Sequence, residues 1–355
     1  MRSHIAPRSL APPPRPPRVS VVVPCYRYGH FLPACVESIV SQQGVAADVL
    51  IVDDASADDS GDVADALAAQ HAEVSVIRHR QNMGHIRTYN EGLRAVDGDY
   101  IVLLSADDLL TPGCLARATT LMEARPDVGL VYGHPNEFDG SHPVEVKTRF
   151  LGWSVWTGRE WIALRFRRGY NCIYSPEAVI RATVQHQIGG YRQDLPHSGD
   201  MEMWLRAAAV SNVGRVDGPD QALHRVHDTN MSRTQFSGVV TDLAGRLAAY
   251  DAFLRSYDTT AEHARLLRTA ACRSLAAQAL YHACDLQQAG RADDAVPLVE
   301  FARSIYDDVD RLPTWREFRW RDPNGPREAV LRKVLTTRRQ YKERARWHRW
   351  RWSGV

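Results

Sequence analysis

The chain has 355 residues, of which 44% are hydrophobic and 24% charged, a composition typical of a soluble globular protein. Its formal net charge of +2 is too small to require a polyanionic partner, which argues against nucleic-acid binding by the molecule as a whole. The six cysteines lack CxxC spacing and several fall in apolar runs, so they indicate buried thiols in a reducing, cytoplasmic compartment.

Residues 1–17, MRSHIAPRSLAPPPRPP, carry positive charge and repeated proline but no apolar run as long as a signal peptide needs. This composition predicts a disordered leader. No uninterrupted apolar stretch approaches the roughly 20 residues that cross a bilayer. The sequence therefore predicts a soluble or peripheral protein.

From residue 18 onward, strand-like and helix-like segments alternate. The apolar runs RVSVVVPCY, DVLIVDD, EVSVIRH, DYIVLLS and VGLVYG predict buried strands, and residues 31–43, 60–71, 87–96 and 112–124 predict the helices between them. This order predicts an α/β fold with a mostly parallel sheet flanked by helices. Ligands of such folds bind at the carboxyl ends of the strands.

The pattern changes twice further along the chain. Periodicity weakens over residues 136–168, which we assign to loops and a short helix, before YSPEAVIRAT and GDMEMWLRAAAV restore a strand-like and a helix-like segment. Beyond about residue 236 only helical patterns occur. The sequence therefore predicts a helical extension after the α/β part.

Polar segments follow several of the predicted strands. They are PCYRYGHFL, IVDDASADDS, RQNMGHIRTYNEGL and the acidic end of DYIVLLSADDLLTP, with PHSGDMEMWLRAA and HRVHDTNMS later in the chain. Each has a structural alternative, because acids and serines cap helices and N-x-G forms a turn. Together and in this order, they resemble the motifs of family 2 glycosyltransferases with the GT-A fold.

The resemblance covers residues 19–232, about two-thirds of the chain. It implies a GT-A glycosyltransferase domain over residues 18–235, leaving a helical domain (236–326) and a basic, tryptophan-rich tail (327–355) unexplained. It also implies a nucleoside-diphosphate sugar as donor, with a uridine, thymidine or guanosine base. The implied donor-binding residues are Pro24, Tyr26 and Asp54 around the base, with Asn82, Gly84, Ser105, Ala106 and Asp107.

The family's DxD metal site corresponds to Ser105-Ala106-Asp107, so Ser105 replaces the usual first aspartate. The resemblance implies Mg²⁺ or Mn²⁺ held by Asp107, with Asp108 as an auxiliary ligand and His227 reaching back to the metal. A hard divalent cation suits carboxylate and phosphate oxygens. Because Ser105 stands in place of a carboxylate, we expect this site to bind the metal more weakly than a site with two aspartates.

The acidic motif before the second helix-like segment corresponds to Asp200, the implied catalytic base of an inverting enzyme. Such transfer needs one carboxylate to accept the proton of the attacking acceptor hydroxyl. Gly199 replaces the motif's first acid, and Glu202 is expected to have a structural role. The acceptor stays open among a polysaccharide or other carbohydrate, a lipid-linked sugar and a small molecule.

Three other functions are compatible with parts of this pattern. A dinucleotide-dependent oxidoreductase is disfavoured because G-x-G-x-x-G is absent after the first strand. A sugar nucleotidyltransferase would need a glycine- and lysine-rich first loop, which is also missing. A catalytically weakened nucleotide-sugar-binding scaffold has Ser105 in its favour, but the retention of the other acidic positions argues against it.

The tail RKVLTTRRQYKERARWHRWRWSGV interleaves basic residues with tryptophan. This composition suits an anionic membrane surface and predicts peripheral contact at the inner face of the plasma membrane. Two alternatives stay open: the tail packs on the helical domain, or, with less support, it binds nucleic acid.

Overall fold

The computed structural model describes residues 2–140, 144–231 and 238–319, with Tyr341, Ala345 and Arg351 beyond them. The chain divides into two compact units. The first comprises Met1–Ile162 and Ile173–Asp228, and the second comprises Ala163–Cys172 and Thr229–Val355. The strands of the described residues all belong to the first unit.

The first half of the first unit alternates strands and helices, as predicted. Its elements are β1 (Ser3–Ile5), β2 (Arg18–Cys25), α1 (Leu32–Val40), β3 (Ala46–Asp53), α2 (Ser60–Gln70), β4 (Val74–Arg78), α3 (His85–Ala95) and β5 (Tyr100–Leu103). Strands β5, β2, β3 and β4 lie side by side in that order and are parallel. Their valine and isoleucine side chains form a buried core because both faces of the sheet are covered.

The second half adds antiparallel strands to the same sheet. It contains β6 (Leu109–Leu110), α4 (Cys114–Ala124), β7 (Val128–Phe138), β8 (Gly152–Trp156), α5 (Gly158–Arg168), β9 (Val179–Arg181), α6 (Ala182–Ile188), α7 (Gly199–Val210) and β10 (Asn212–Arg225). The full strand order is β1-β8-β10-β7-β9-β5-β2-β3-β4, with β6 on β10. The expected α/β fold is confirmed, although β8 and β9 pair antiparallel and make the sheet mixed.

Strand β10 has no clear signal in the sequence. It is long and pairs with β7 and β8, yet it contains Gly-Pro-Asp at its centre and shows register shifts against β7. Its buried positions include the charged residues Arg215, Asp217 and Asp220. Pairing on both sides, rather than an apolar pattern, creates this strand.

The leader differs from the disordered segment that we predicted. Residues Ser3–Ile5 form an edge strand antiparallel to β8, and a 3₁₀ turn follows. The Arg2 guanidinium donates to Ser154 Oγ and lies 3.6 Å from the buried Asp217 carboxylate. Composition did not predict this order because strand pairing and charge contacts with distant residues, together with packing of Ile5 and Leu10 against the core, hold the leader.

The second unit is helical, as expected. It contains α8 (Val239–Ser256), α9 (Ala261–Gln288), α10 (Ala292–Ile305) and α11 (Pro313–Arg319). The Thr260 hydroxyl caps α9 by accepting the His263 N–H, and Gly290, at a φ of 75°, allows the turn before α10. The ring centroids of Tyr250 on α8 and Phe166 lie 4.3 Å apart in its core.

All six cysteines are buried and free, which agrees with their sequence pattern. No helix within the described residues is long and apolar enough to cross a membrane. The tail at 327–355, for which we predicted membrane contact, lies outside the described residues except for Tyr341, Ala345 and Arg351.

Candidate functional site

The predicted site residues gather where the parallel strands end. Four non-glycine residues have positive φ in the described part of the chain, and they follow β2, follow β3 or precede β9 and α7: Arg27, Ala55, Ser175 and Ser198. Such conformations cost on the order of 1–3 kcal/mol each and concentrate at functional sites. The strain therefore marks the same edge of the sheet as the sequence motifs do.

Tyr26 lies at this edge of the sheet, in the turn after β2. Its side chain is 43% exposed, and the Arg27 guanidinium lies 5.2 Å from its ring centroid. The Arg27 N–H donates to Ser56 Oγ at 2.8 Å, which ties the turn after β2 to the turn after β3. Pro24, one residue before the end of β2, is partly exposed beneath it. An exposed aromatic ring on a fixed turn can stack on a planar ligand.

Asp54 organises the turn that follows β4. Its two carboxylate oxygens accept the N–H groups of Met83 at 2.7 Å and Gly84 at 2.9 Å. The Asn82 amide donates to the Asp54 carbonyl oxygen, and Gly84 has a φ of 81° that favours glycine. Only 3% of Asp54 is exposed, so its contacts lie mainly within the protein.

His79 was not singled out in the sequence, yet it completes this corner. Its Nδ1 lies 2.7 Å from Asp54 Oδ1, and its Nε2 lies 3.1 Å from Glu91 Oε2. The signal that could have found it is its place at the carboxyl end of the predicted strand EVSVIRH, next to the acidic end of the neighbouring strand DVLIVDD. Asp54, His79 and the 82–84 turn therefore form one hydrogen-bonded unit.

Asp107 and His227 meet although they are far apart in the chain. His227 Nε2 lies 2.9 Å from Asp107 Oδ2. The His227 ring packs against Tyr28 and Phe31 from the turn after β2, with centroids 5.5 and 5.7 Å apart. Aromatic packing fixes the imidazole where its nitrogen faces the carboxylate.

Asp108 faces the end of β10. Its Oδ1 accepts the Arg225 N–H at 2.8 Å and lies 3.0 Å from His224 Nδ1. Burial raises the pKa of Asp108 above its ordinary value, and the hydrogen bond and charge of His224 oppose this rise. These contacts give Asp108 a clear structural role. Its role as an auxiliary metal ligand stays a prediction.

The serine and alanine of the Ser105-Ala106-Asp107 triplet differ in surroundings. Ser105 is partly exposed, and its carbonyl oxygen accepts the Asp108 N–H at 3.0 Å. Ala106 is buried, at 1% exposure. The triplet forms a tight turn after β5 that holds Asp107 at the edge of the sheet.

The Asp107 and His227 side chains suit a divalent cation. Within the described residues, no group of three or more histidine, cysteine, aspartate or glutamate side chains is arranged to hold a metal. Magnesium and manganese need only one or two protein ligands when substrate phosphates supply the others. The Asp107 carboxylate and the His227 imidazole, whose Oδ2 and Nε2 atoms lie 2.9 Å apart, are compatible with that arrangement.

Asp200 lies in the first turn of α7, two residues after the left-handed residue Ser198. It is partly buried beside Tyr191, whose pKa is raised by burial and then by the negative charge of Asp200. Glu202 is fully buried and pairs with Arg206 at 2.9 Å. This contact agrees with the structural role expected for Glu202.

Two contacts join α3 to the segment that leads into α7. The Asn90 amide donates to the Tyr191 carbonyl oxygen at 2.8 Å, and the Tyr191 N–H donates to Asn90 Oδ1 at 2.7 Å. His85 Nε2 lies 3.2 Å from the Pro196 carbonyl oxygen. Sequence reasoning missed Asn90 because its partner is a main-chain group that leaves no motif.

Glu177 is a further buried acid that the sequence did not single out. It precedes β9, is 4% exposed, and accepts the Tyr174 N–H at 2.8 Å through Oε1. Its Oε2 is buried without a hydrogen-bond partner in the described structure. Burial raises its pKa to about 8, so the side chain is neutral at pH 7.

Comparison with known proteins finds a family match in the first part of the chain. Residues 20–183 match the model of Glycosyl transferase family 2. Over 123 residues the chain is 31% identical to the glycosyltransferase GlyG of Streptococcus pneumoniae, covering 35% of this chain and 40% of that protein. The chain spans less than two thirds of the length of the first curated relatives that it matches.

Two solved structures share the fold. S. aureus TarS in complex with UDP-GlcNAc matches with a TM-score of 0.60 at 13% identity, covering 82% of this chain and 83% of that chain. Mannosyltransferase PcManGT from Pyrobaculum calidifontis, in complex with GDP-Man and Mn²⁺, matches with a TM-score of 0.53 at 20% identity, covering 88% and 87%. Residues 20–183 are therefore similar to glycosyl transferase family 2, and the chain has the GT-A type α/β fold.

Proposed function

We propose that the protein is an inverting glycosyltransferase that moves a sugar from a nucleoside-diphosphate sugar to an acceptor hydroxyl. One observation carries the proposal. The Asn90 amide on α3 and the main chain of Tyr191 are joined by two hydrogen bonds, which bring the turn held by Asp54 next to the segment that carries Asp200. In this proposal Asp107 serves the donor side of the site and Asp200 the acceptor side.

The donor half rests on the strand ends. Tyr26 and Pro24 border the space for the nucleobase, and the Asn82–Gly84 turn, held by Asp54, brings main chain close to the nucleotide. Asp54 stays a proposed contact of the base. Each of its carboxylate oxygens accepts an N–H group of the turn and would use a second lone pair for the base. Ser105 and Ala106 shape the turn beside the ribose.

Asp107 and His227 would hold Mg²⁺ or Mn²⁺, with Asp108 behind them. When bound, the cation neutralises charge that develops on the departing diphosphate. PcManGT, whose solved complex contains Mn²⁺, shares the fold with this chain. The serine at position 105 leaves Asp107 as the one carboxylate of the triplet, so we expect weaker metal binding than two aspartates would give.

The acceptor half rests on α7. Asp200 accepts the proton of the acceptor hydroxyl as its oxygen forms a bond to the anomeric carbon. The bond between that carbon and the diphosphate oxygen breaks, and the electron pair leaves with the nucleoside diphosphate. Attack opposite the leaving group inverts the anomeric centre.

Cellular location and acceptor belong to the same proposal. The reduced, buried cysteines favour a cytoplasmic protein, and the basic tail would bring it to the inner face of the plasma membrane. A lipid-linked acceptor would be accessible there, whereas a free carbohydrate or a small molecule would not need the membrane.

A ligand screen tests the proposal. UDP-, dTDP- and GDP-sugars are tested for thermal stabilisation with and without Mn²⁺, because a ligand that binds only the folded state stabilises it. We expect at least one donor to raise the melting temperature more with Mn²⁺ than with chelator. Release of nucleoside diphosphate from that donor separates an enzyme from a binding scaffold, and a scaffold would bind without turnover.

A further inference from the structure

Tyr89 occupies the space between the two halves of the site. It lies on α3, and its ring makes edge-to-face contacts with those of His85 and Tyr191, at interplanar angles of 66° and 69° and with centroids 5.6 and 5.4 Å apart. Tyr191 is 6% exposed and belongs to the segment that leads into α7. The Tyr89 ring is thus wedged between the donor-side turn and the segment that carries Asp200.

Asn90, the residue after Tyr89, fixes α3 against the segment that contains Tyr191. Asn90 makes two hydrogen bonds with the main chain of Tyr191, one in each direction. A side chain at Gly190 would collide with the Asn90 amide, so the close approach requires glycine there. Tyr89 therefore cannot move away from Tyr191 without breaking these contacts.

The surroundings of the Tyr89 hydroxyl determine its protonation state. The pKa of Tyr89 is raised well above its ordinary value, first by burial and then by the negative charges of Asp107 and Asp200. Its hydroxyl therefore stays protonated and can donate a hydrogen bond. Within residues 2–140, 144–231 and 238–319, this hydroxyl makes no hydrogen bond.

We propose that the Tyr89 hydroxyl donates a hydrogen bond to the sugar that is transferred and thereby helps to select the donor. The inference rests on the proposed function, which puts the anomeric carbon between a diphosphate at Asp107 and an acceptor hydroxyl at Asp200. The sugar ring must then occupy the space that Tyr89 borders. Tyr89 acts here as a specificity-determining residue, because it takes no proton and forms no bond.

Tyr89→Phe removes the hydroxyl and keeps the ring packing. Calorimetric titration with Mn²⁺ compares a nucleoside diphosphate alone with the same nucleotide carrying its sugar, using UDP with UDP-N-acetylglucosamine and UDP-glucose, and GDP with GDP-mannose. Tyr257→Phe, at the end of α8 in the second unit, is the matched control. We expect the variant to bind the nucleotide unchanged and the nucleotide sugar about 3- to 10-fold more weakly, the effect of one neutral hydrogen bond.

The outcomes separate the two proposals. Equal weakening for nucleotide and nucleotide sugar, or no weakening for either, overturns the role of Tyr89 and leaves the glycosyltransferase proposal intact. A wild-type protein that binds none of these nucleotides or sugars overturns the proposed function, and the Tyr89 inference with it. Weakening by Tyr257→Phe of the same size would also count against the role of Tyr89.

Discussion

Asp200 differs from the other acids of the site in its neighbours. It sits in the first turn of α7 beside Tyr89 and Tyr191, whereas Asp54 and Asp108 accept main-chain N–H groups. The main-chain contacts of Asp54 and Asp108 support the fold directly. We expect removal of Asp200, the proposed base, to affect chemistry more than folding.

Asp200→Asn should abolish transfer and leave donor binding unchanged, because the base acts on the acceptor. Loss of a general base lowers rates by about 10²- to 10⁴-fold. Steady-state transfer rates and calorimetric donor affinity measure the two effects. Asp194→Asn, an exposed acid of the preceding loop, is the control and should retain activity. Full activity of Asp200→Asn would remove this residue from the mechanism.

Asp107 and Asp108 are adjacent, but their substitution should have different effects on donor binding and stability. Asp107→Ala should weaken donor binding strongly in the presence of Mn²⁺, since it removes the proposed metal ligand. Asp108→Ala should weaken it less but lower stability by about 1–3 kcal/mol, because the Arg225 N–H and His224 lose their buried partner.

Donor titration and chemical denaturation of both variants test this split. Chelator-treated wild-type protein provides the metal-free reference. If it keeps full activity, the metal assignment is wrong and side chains must neutralise the diphosphate. If both variants lose stability equally, the distinction between the two aspartates fails.

Glu177 should make stability depend on pH. The unfolded chain loses this proton near the ordinary pKa of 4.5, whereas the folded protein keeps it until about pH 8. The contribution of Glu177 to the free energy of unfolding is thus greatest below pH 4.5. It falls as the pH rises to 8, by at most ~1.4 kcal/mol per pH unit. Glu177→Gln should therefore become progressively more stable than wild type between pH 5 and pH 8.

Denaturant titrations at several pH values measure this difference. Glu145→Gln, in a chain segment outside the sheet, is the control and should follow the wild-type pH dependence. A Glu177→Gln variant that also follows the wild type would contradict the raised pKa.

At the scale of elements, the site depends on the junction between α3 and the segment before α7. The two Asn90 hydrogen bonds link the helix after the donor-side turn to the segment that carries Asp200. Arg206, paired with Glu202 on α7, supports the same end of this segment, because it also donates to the Gly190 carbonyl oxygen. Donor and acceptor halves are therefore joined by polar contacts to main chain.

Asn90→Ala should loosen this junction without touching the donor. It leaves the Tyr191 N–H and carbonyl without partners, at a cost of about 1–3 kcal/mol. We expect faster hydrogen exchange over residues 190–198, a lower transfer rate and an unchanged affinity for the nucleoside diphosphate. Arg87→Ala, an exposed position on the same helix, should change none of these. Unaltered exchange in Asn90→Ala would show that other contacts hold the segment.

At the scale of the whole molecule, the basic tail is the remaining feature with a testable role. Each basic residue near an anionic leaflet contributes about 1 kcal/mol, and tryptophan favours the headgroup region. We expect full-length protein to sediment with anionic vesicles and a truncation after Pro326 to stay in solution. Neutral vesicles are the control. Equal sedimentation of both forms would exclude the tail as the anchor.

The sequence by itself determined the parallel half of the fold and the motifs at its edge. Strands such as β2 and β3 are buried on both faces and appear as continuous apolar runs, and their carboxyl ends carry the site residues. The helical second unit was equally visible, because helical periodicity is a local property.

Only the tertiary structure decided which partners these residues have. The pairing of His227 with Asp107, the main-chain contacts of Asp54 and the packing of Tyr89 against Tyr191 join parts of the chain that are distant in sequence. Strand β10 and the leader strand β1 likewise form because neighbouring strands offer hydrogen bonds, which no local pattern encodes. Residue type and spacing reveal local structure, whereas contacts between distant segments depend on how the whole sheet is assembled.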